Sequence, residues 1–160
     1  MPKVPERVSD FDRPPGTEKK SEKVKKIASD AADILSEDKN LEKLNAIVHS
    51  LIAEKCKLDL LNEIDLAVEE IFINICHYAY QGKKGVVEVN IRILGDVFEI
   101  SFIDEGKPFN PLELADPDLS LSAEERRIGG LGIFLTKKYM DKVEYKFQDN
   151  KNILSFSKKF

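Results

Sequence analysis

The chain has 160 residues, of which 42% are hydrophobic, a content that supports one buried core and indicates a single domain. Its formal net charge is -4 and it carries no long basic block, so we expect neither nucleic acid nor an anionic membrane as a partner. No apolar run approaches the ~18 residues of a membrane span and no signal-peptide pattern opens the chain, which predicts a cytoplasmic protein.

The N-terminal residues 1–22 differ in composition from the rest of the chain. They hold four of the seven prolines among alternating charges, which predicts a polar tail outside the core, with the domain occupying residues 23–160. The segment Val24–Leu35 leaves two structures open, an edge strand in its first part and a short helix in its second.

Two helices and a hairpin follow in chain order. Apolar residues at steps of three and four, from Leu41 to Ile52, predict one helix in the segment Asn40–Cys56, and a second helix is predicted from about Asn62 to Tyr80. Alternation then switches to period two on both sides of a turn at Gly95-Asp96, which predicts two paired strands ending near Asp104.

The C-terminal region predicts a helix after the glycines at 129–132 and then a second hairpin, which turns at the sequence QDNKN. The whole order of elements predicts an α+β fold, a two-layer α/β sandwich whose mixed, mostly antiparallel sheet carries helices on one face. Cys56 and Cys76 lie in apolar segments without metal-ligand spacing, so we expect buried free thiols.

Three polar residues share one side of the second helix. Glu70, Asn74 and His77 fall at i, i+4 and i+7, opposite the apolar stripe. A solvated helix face is the plain interpretation of such a set. Asn74 argues against it, because asparagine is a poor helix former and this one lies between isoleucines in the middle of the helix.

The strand that ends at Asp104 is followed by the loop DEGKPFNP. Asp104 has the parity of Phe98 and Phe102, so it is expected to point between sheet and helices, where a carboxylate requires a hydrogen-bond donor. Gly106 permits a close approach of the backbone to a ligand, and prolines stiffen the exit. A plain strand-to-loop turn is the alternative.

A long polar loop, Asn110 to Ile128, leads to the stretch GGLG, and its length is typical of a lid. Gly129, Gly130 and Gly132 before a helix favour an anion site, because bare N–H groups and the helix dipole converge there. The run matches neither a Walker loop nor a dinucleotide fingerprint. A tight loop-to-helix junction would explain the glycines equally well.

Together, EEIFINICHYAY, DEGKPFNP and GGLGIFLTKKYMD resemble the nucleotide-binding boxes of the histidine-kinase-like (GHKL) ATPase superfamily. The form of the middle box and the short lid are most similar to the anti-sigma-factor serine/threonine protein kinases. The resemblance covers about residues 40–160 and implies ATP and Mg²⁺ as ligands. By position it implies a nucleotide site formed by Asn74, Asp104, Gly106, Pro108, Phe109, Gly129, Gly130, Leu131, Gly132 and Ile133.

The resemblance also implies individual roles. Asn74 would hold Mg²⁺, Glu70 would act as the catalytic base, and Asp104 would accept a hydrogen bond from the adenine amino group. Gly106 would let the base approach, and the three glycines would enclose the phosphates. The resemblance implies two partners, a sigma factor and a small anti-anti-sigma domain that receives the phosphate. It also implies that the kinase is usually a homodimer.

Two features depart from the family pattern. Tyr78 stands where many members carry a histidine, so we assign no catalytic role to the neighbouring His77. The sequence leaves open which cationic side chain neutralises the phosphates, and Arg126 and Arg127 are the candidates. Three alternatives to a kinase are kept: a nucleotide-gated docking module without phosphotransfer, an ATPase fragment of a histidine kinase, and a ligand-free scaffold. The histidine-kinase fragment is disfavoured because no phosphoacceptor helix precedes the domain.

Overall fold

A computed structural model of the protein describes residues 30–122, 124 and 130–160. The predicted tail, Gly129 and both candidate arginines lie outside these residues. The described strands are β1 (Asp30–Leu35), β2 (Val86–Leu94), β3 (Val97–Asp104), β4 (Lys142–Gln148) and β5 (Lys151–Lys159). They form one sheet in the order β1-β2-β3-β5-β4, and every described pairing is antiparallel.

The described helices are α1 (Leu41–Ile52), α2 (Leu58–Asn74) and α3 (Leu131–Tyr139), with α2 continuing into a π turn (Ile75–Ala79). Short 3-10 turns precede α1 and follow β3, at Asp38–Asn40 and Pro111–Glu113. The predicted start of α2 at about Asn62 was one turn too late. Asp59 in the first turn suits the helix dipole, and Leu60 and Leu61 pack partly against the core.

One face of the sheet and the apolar faces of the helices enclose the core. Along β3 every second residue is buried, and β2 has the same alternation over most of its length. The ring of Phe156 on β5 lies 6.1 Å from that of Phe98 and 6.5 Å from that of Phe102. This arrangement confirms the predicted α+β sandwich, and the same alternation carries Asp104 into the layer between sheet and helices.

The ambiguous segment after the tail is a strand in its second part. Asp30–Leu35 pairs antiparallel with β2, Ala32 opposite Val89, and the Ile34 side chain is only 2% exposed. The short helix considered for this part is therefore wrong, because the edge of β2 offers backbone partners that outweigh the local helix preference of the alanines. Residues 24–29 lie outside the described range.

The turns follow the sequence predictions, and of the two thiols predicted to be buried only that of Cys76 is, because Cys56 is partly exposed. Gly95, between β2 and β3, has φ 65°, and Asp149 and Asn150, between β4 and β5, have φ 53° and 59°. Both cysteines are free, and burial raises the pKa of the Cys76 thiol to about 11. Within the part of the chain that the structure describes, no helix has the length and apolar character to cross a membrane.

Candidate functional site

A cavity of about 760 Å³ opens between the helical layer and the sheet. It brings together six residues of the predicted nucleotide site: Asn74, Asp104, Pro108, Phe109, Gly130 and Ile133. Glu70, Gly106, Leu131 and Gly132 do not line it. Gly129 lies outside the described residues. Three segments far apart in the sequence therefore meet at one concave surface of the size that small-molecule ligands occupy.

Asp104 ends β3 at the inner wall of the cavity and is only 4% exposed. Its Oδ1 accepts hydrogen bonds from Nδ2 of Asn152 and from the backbone N–H of Gly106, both at 2.9 Å. Burial raises the pKa of this carboxyl, and these two hydrogen bonds act in the opposite direction. Oδ2 accepts no hydrogen bond from any described residue, so it is the oxygen that a donor on a ligand could reach.

Asn152 holds Asp104 and the loop after β3 together, and sequence reasoning missed it. Besides its bond to Asp104, its Nδ2 donates to the carbonyl oxygens of Gly106 and Lys107 at 3.3 and 3.2 Å. Its Oδ1 accepts from the Phe109 N–H at 3.2 Å and from the Tyr145 hydroxyl at 2.7 Å. The available signal was parity, because Asn152 lies two and four residues before Leu154 and Phe156 and so points to the same, core-facing side of β5.

Gly106 contacts the π turn after α2 and does not face the cavity. A Cβ atom at this position would lie 2.5 Å from both the Cβ and the carbonyl oxygen of Ala79. The neighbouring Lys107 N–H donates to that same carbonyl oxygen at 2.8 Å. The glycine thus lets the loop bind to the π turn, which places Pro108 and the half-exposed Phe109 on the cavity wall.

Asn74, the last residue of α2, is hydrogen-bonded to Glu70 one turn earlier. Its Nδ2 donates to Oε1 of Glu70 at 2.9 Å, so Oδ1 is the atom left to act as an acceptor or ligand. No cluster of three or more His, Cys, Asp or Glu side chains in the described ranges could hold a metal. A single amide oxygen suits Mg²⁺, which takes few protein ligands and completes its octahedron with phosphate and water.

The N-terminus of α3 borders the same cavity. Gly130 is the N-cap residue with φ 91°, a conformation that favours glycine, and no side chain among the described residues caps the helix start. Its first N–H groups are therefore open to an anion, which the positive end of the helix dipole favours. Ile133 is buried and lines the cavity, whereas Leu131 is exposed.

Charged and aromatic residues lie in and around the cavity. His77 lies outside the cavity, and its Nε2 is 2.9 Å from Oδ2 of Asp38 in the turn after β1. Tyr78 lines the cavity and is largely exposed. Lys107 also lines it and is a cation that sequence reasoning missed, although it lies inside the DEGKPFNP motif. Both candidate arginines are outside the described residues.

Comparison with known proteins assigns the chain to a family. The model of the histidine kinase-like ATPase domain matches residues 34–158. A serine-protein kinase RsbW of Listeria monocytogenes is 29% identical over 101 residues, covering 60% of this chain and 64% of the relative. An anti-sigma F factor of Caldanaerobacter subterraneus is 30% identical over 92 residues, 58% of this chain and 64% of the relative.

Two further matches cover a larger share of this chain. An anti-sigma F factor of a Thermoanaerobacter species is 26% identical over 123 residues, 76% of this chain and 86% of the relative. The crystal structure of the RsbU and RsbW domains of Rv1364c from Mycobacterium tuberculosis has the same fold, with a TM-score of 0.54 and 14% identity over 82% of this chain and 32% of that one. The resemblance to anti-sigma-factor kinases is confirmed, and the chain belongs to the histidine kinase-like ATPase domain family.

Proposed function

We propose that the protein is a cytoplasmic, ATP-dependent protein-serine/threonine kinase of the anti-sigma-factor type. It transfers the γ-phosphate of ATP to a small anti-anti-sigma domain and sequesters a sigma factor, acting as a homodimer. The observation that carries the proposal is the cavity in which Asp104, Asn74 and Gly130 meet. The names of the relatives support the kinase and anti-sigma roles.

The inner part of the cavity supplies the chemistry for adenine. Oδ2 of the buried residue Asp104 is open to the cavity and would accept a hydrogen bond from an exocyclic amino group. Adenine carries that amino group, whereas guanine has a carbonyl oxygen at the same position. Apolar lining residues cover the faces of the ring, among them Ile75, Ala79, Ile133 and Leu154. Because the site is buried, a purine without the matching donor would leave the carboxylate unpaired.

The outer part of the cavity supplies the chemistry for the triphosphate. The open N–H groups at the start of α3 and the Lys107 side chain offer hydrogen-bond donors for phosphate oxygens. Oδ1 of Asn74 would hold Mg²⁺, which neutralises phosphate charge when it is bound. Phosphoryl transfer depends on positioning and charge neutralisation more than on covalent help from the protein.

Glu70 is the proposed base. In the transfer step the serine oxygen of the partner bonds to the γ-phosphorus, the bond from that phosphorus to the bridging oxygen breaks, and ADP leaves. The proton of the serine hydroxyl passes to the Glu70 carboxylate, which is held one turn from Asn74.

A second candidate function is a nucleotide-gated docking module without phosphotransfer. It is favoured by one observation: Glu70 does not line the cavity and is hydrogen-bonded to Asn74 instead. Such a module would bind ATP through Asp104 and Asn74 and act only by binding its partner.

One experiment separates the two functions. The protein is incubated with labelled ATP, Mg²⁺ and an anti-anti-sigma domain, with Glu70→Gln and Asn74→Ala as matched variants, and nucleotide binding is followed by calorimetry. Label on the partner with the wild type, and its loss in Glu70→Gln while ATP still binds, supports the kinase. Binding without transfer by any variant favours the docking module. Asp104→Ala should lose ATP under both, and an absence of ATP binding by the wild type would reject both.

A further inference from the structure

Gly132, the third glycine of the run, faces Glu70 and not the cavity. A Cβ atom built at Gly132 would lie 2.0 Å from Oε2 of Glu70, 2.1 Å from Cδ and 2.5 Å from Cγ. Among the described atoms outside its chain neighbours and its own helix backbone, these are the three nearest, and all belong to that one side chain. Gly130, by contrast, lines the cavity, and a Cβ atom there would meet no atom of the described residues within 4 Å. The two described glycines of the run therefore differ in what they make room for.

We propose that Gly132 is a positioning residue for Glu70: its missing side chain creates the space in which the Glu70 carboxylate lies, and so fixes the Glu70–Asn74 pair beside the cavity. As a contribution to catalysis this rests on the proposed function, whereas the contact between the two residues does not. A glycine in a nucleotide-binding run would then serve the base and not the phosphates.

The surroundings of Gly132 restrict how the protein could accommodate a side chain there. The Thr136 hydroxyl donates to the Gly132 carbonyl oxygen at 2.8 Å, and Thr136 is only 1% exposed, so this turn of α3 is held by a buried residue. The Glu70 side chain is the flexible partner. A methyl group at Gly132 would therefore displace the Glu70 carboxylate and break its hydrogen bond with Asn74, while α3 keeps its place.

A double-mutant cycle tests the contact. Wild type, Gly132→Ala, Glu70→Ala and the double variant are compared by melting temperature without nucleotide and by calorimetric affinity for ATP with Mg²⁺. Alanine is the better helix former, so Gly132→Ala should raise the melting temperature by about 2–4 °C in the Glu70→Ala background. In the wild-type background the gain should vanish or turn into a loss. In the Glu70→Ala background ATP affinity should stay within about twofold of its parent, because a methyl group at position 132 points toward residue 70 and leaves the backbone N–H groups of α3 in place.

Turnover distinguishes positioning from general stability. Phosphotransfer or ATP hydrolysis by Gly132→Ala should fall about tenfold or more at saturating ATP, the size of effect expected when a general base is misplaced. Adding Glu70→Asp, which shortens the side chain by one methylene, should recover part of that loss in the Gly132→Ala background and lower turnover in the wild-type background.

The melting temperatures and ATP affinities of the variants decide whether the proposal holds. Equal shifts of melting temperature in both backgrounds would overturn the proposal. So would an ATP affinity that falls to the same extent whether or not Glu70 is present, since that result assigns Gly132 to the phosphates. If the wild type neither bound nor turned over ATP, the proposed function would fail, and the melting temperatures would still decide whether Gly132 makes room for Glu70.

Discussion

Asn152 donates a hydrogen bond from Nδ2 to Oδ1 of Asp104 at 2.9 Å, joining residues 48 positions apart in the chain. This bond orients a buried carboxylate with one oxygen occupied and the other open to the cavity. Since Oδ1 of Asn152 is itself held by Tyr145 and Phe109, the amide cannot rotate without losing several bonds. Strand β5 therefore contributes to the proposed adenine site, although none of the predicted site residues lies on it.

Replacing Asp104 by Asn should weaken ATP binding and stabilise the free protein. The pKa of Asp104 is raised by burial, so the ionised carboxylate costs stability at neutral pH. The amide keeps an oxygen for the bonds from Asn152 and Gly106 and carries no charge. ATP affinity should fall roughly 10- to 100-fold, which corresponds to the free energy that a hydrogen bond to a charged group contributes.

The pH dependence follows from the same raised pKa. The stability associated with a raised carboxyl pKa is fully present below the unfolded-state value of 3.8 and is lost as pH rises through the folded-state value. Asp104→Asn should thus gain melting temperature over the wild type at pH 7 and little below pH 4, while Asp149→Asn at an exposed turn serves as the control. A difference that is constant across this range would contradict the assignment.

Substitutions in the Asn152 cluster should have graded effects. Asn152→Ala leaves the Phe109 N–H and the carbonyl oxygens of Gly106 and Lys107 without their partner, and should cost about 1–3 kcal/mol in the free energy of unfolding. Tyr145→Phe removes one hydrogen bond and should cost about 0.5–1.5 kcal/mol. Urea denaturation measures both, and equal losses would show that Asn152 does not hold the loop.

Replacing Gly106 by alanine and replacing Gly130 by alanine should both destabilise the protein, but for different physical reasons. Gly106→Ala introduces a Cβ 2.5 Å from the Ala79 carbonyl oxygen and should displace the loop, lowering both stability and ATP affinity. Gly130→Ala meets no atom of the described part of the chain within 4 Å, and it should cost only the strain of an alanine in the left-handed backbone conformation, about 1–2 kcal/mol. Adding Ala79→Gly should recover little of the Gly106→Ala loss, because the backbone oxygen still obstructs. Full recovery would contradict this packing.

The ion pair between Lys137 and Asp116 should matter for loop motion more than for stability. Nζ of Lys137 on α3 lies 2.7 Å from Oδ1 of Asp116, a cavity-lining residue of the loop after β3. Because both side chains are partly exposed, Lys137→Ala should cost less than about 1 kcal/mol. Amide hydrogen exchange in residues 112–118 should nevertheless accelerate, with Lys138→Ala as the control on the same helix. Unchanged exchange would show that the pair does not tether the loop.

The sequence by itself determined the features that depend on local periodicity. Alternation along β2 and β3 predicted the hairpin and the inward direction of Asp104, and steps of three and four predicted α1 and most of α2. These patterns are readable because a side chain's direction follows from its position in a strand or helix. The motifs at Asn74, Asp104 and Gly130 could likewise be recognised, since each is contiguous in the chain.

Only the tertiary structure decided which residues of different elements contact one another. The strand at Asp30–Leu35 depends on the free edge of β2, and Gly106 is a glycine because Ala79 lies against it. The contacts of Asn152 with Asp104 and of Gly132 with Glu70 join elements that meet only when α2, α3 and β5 pack on one sheet. Such distances are set by the packing of the layers and not by spacing along the chain, so no local pattern contains them.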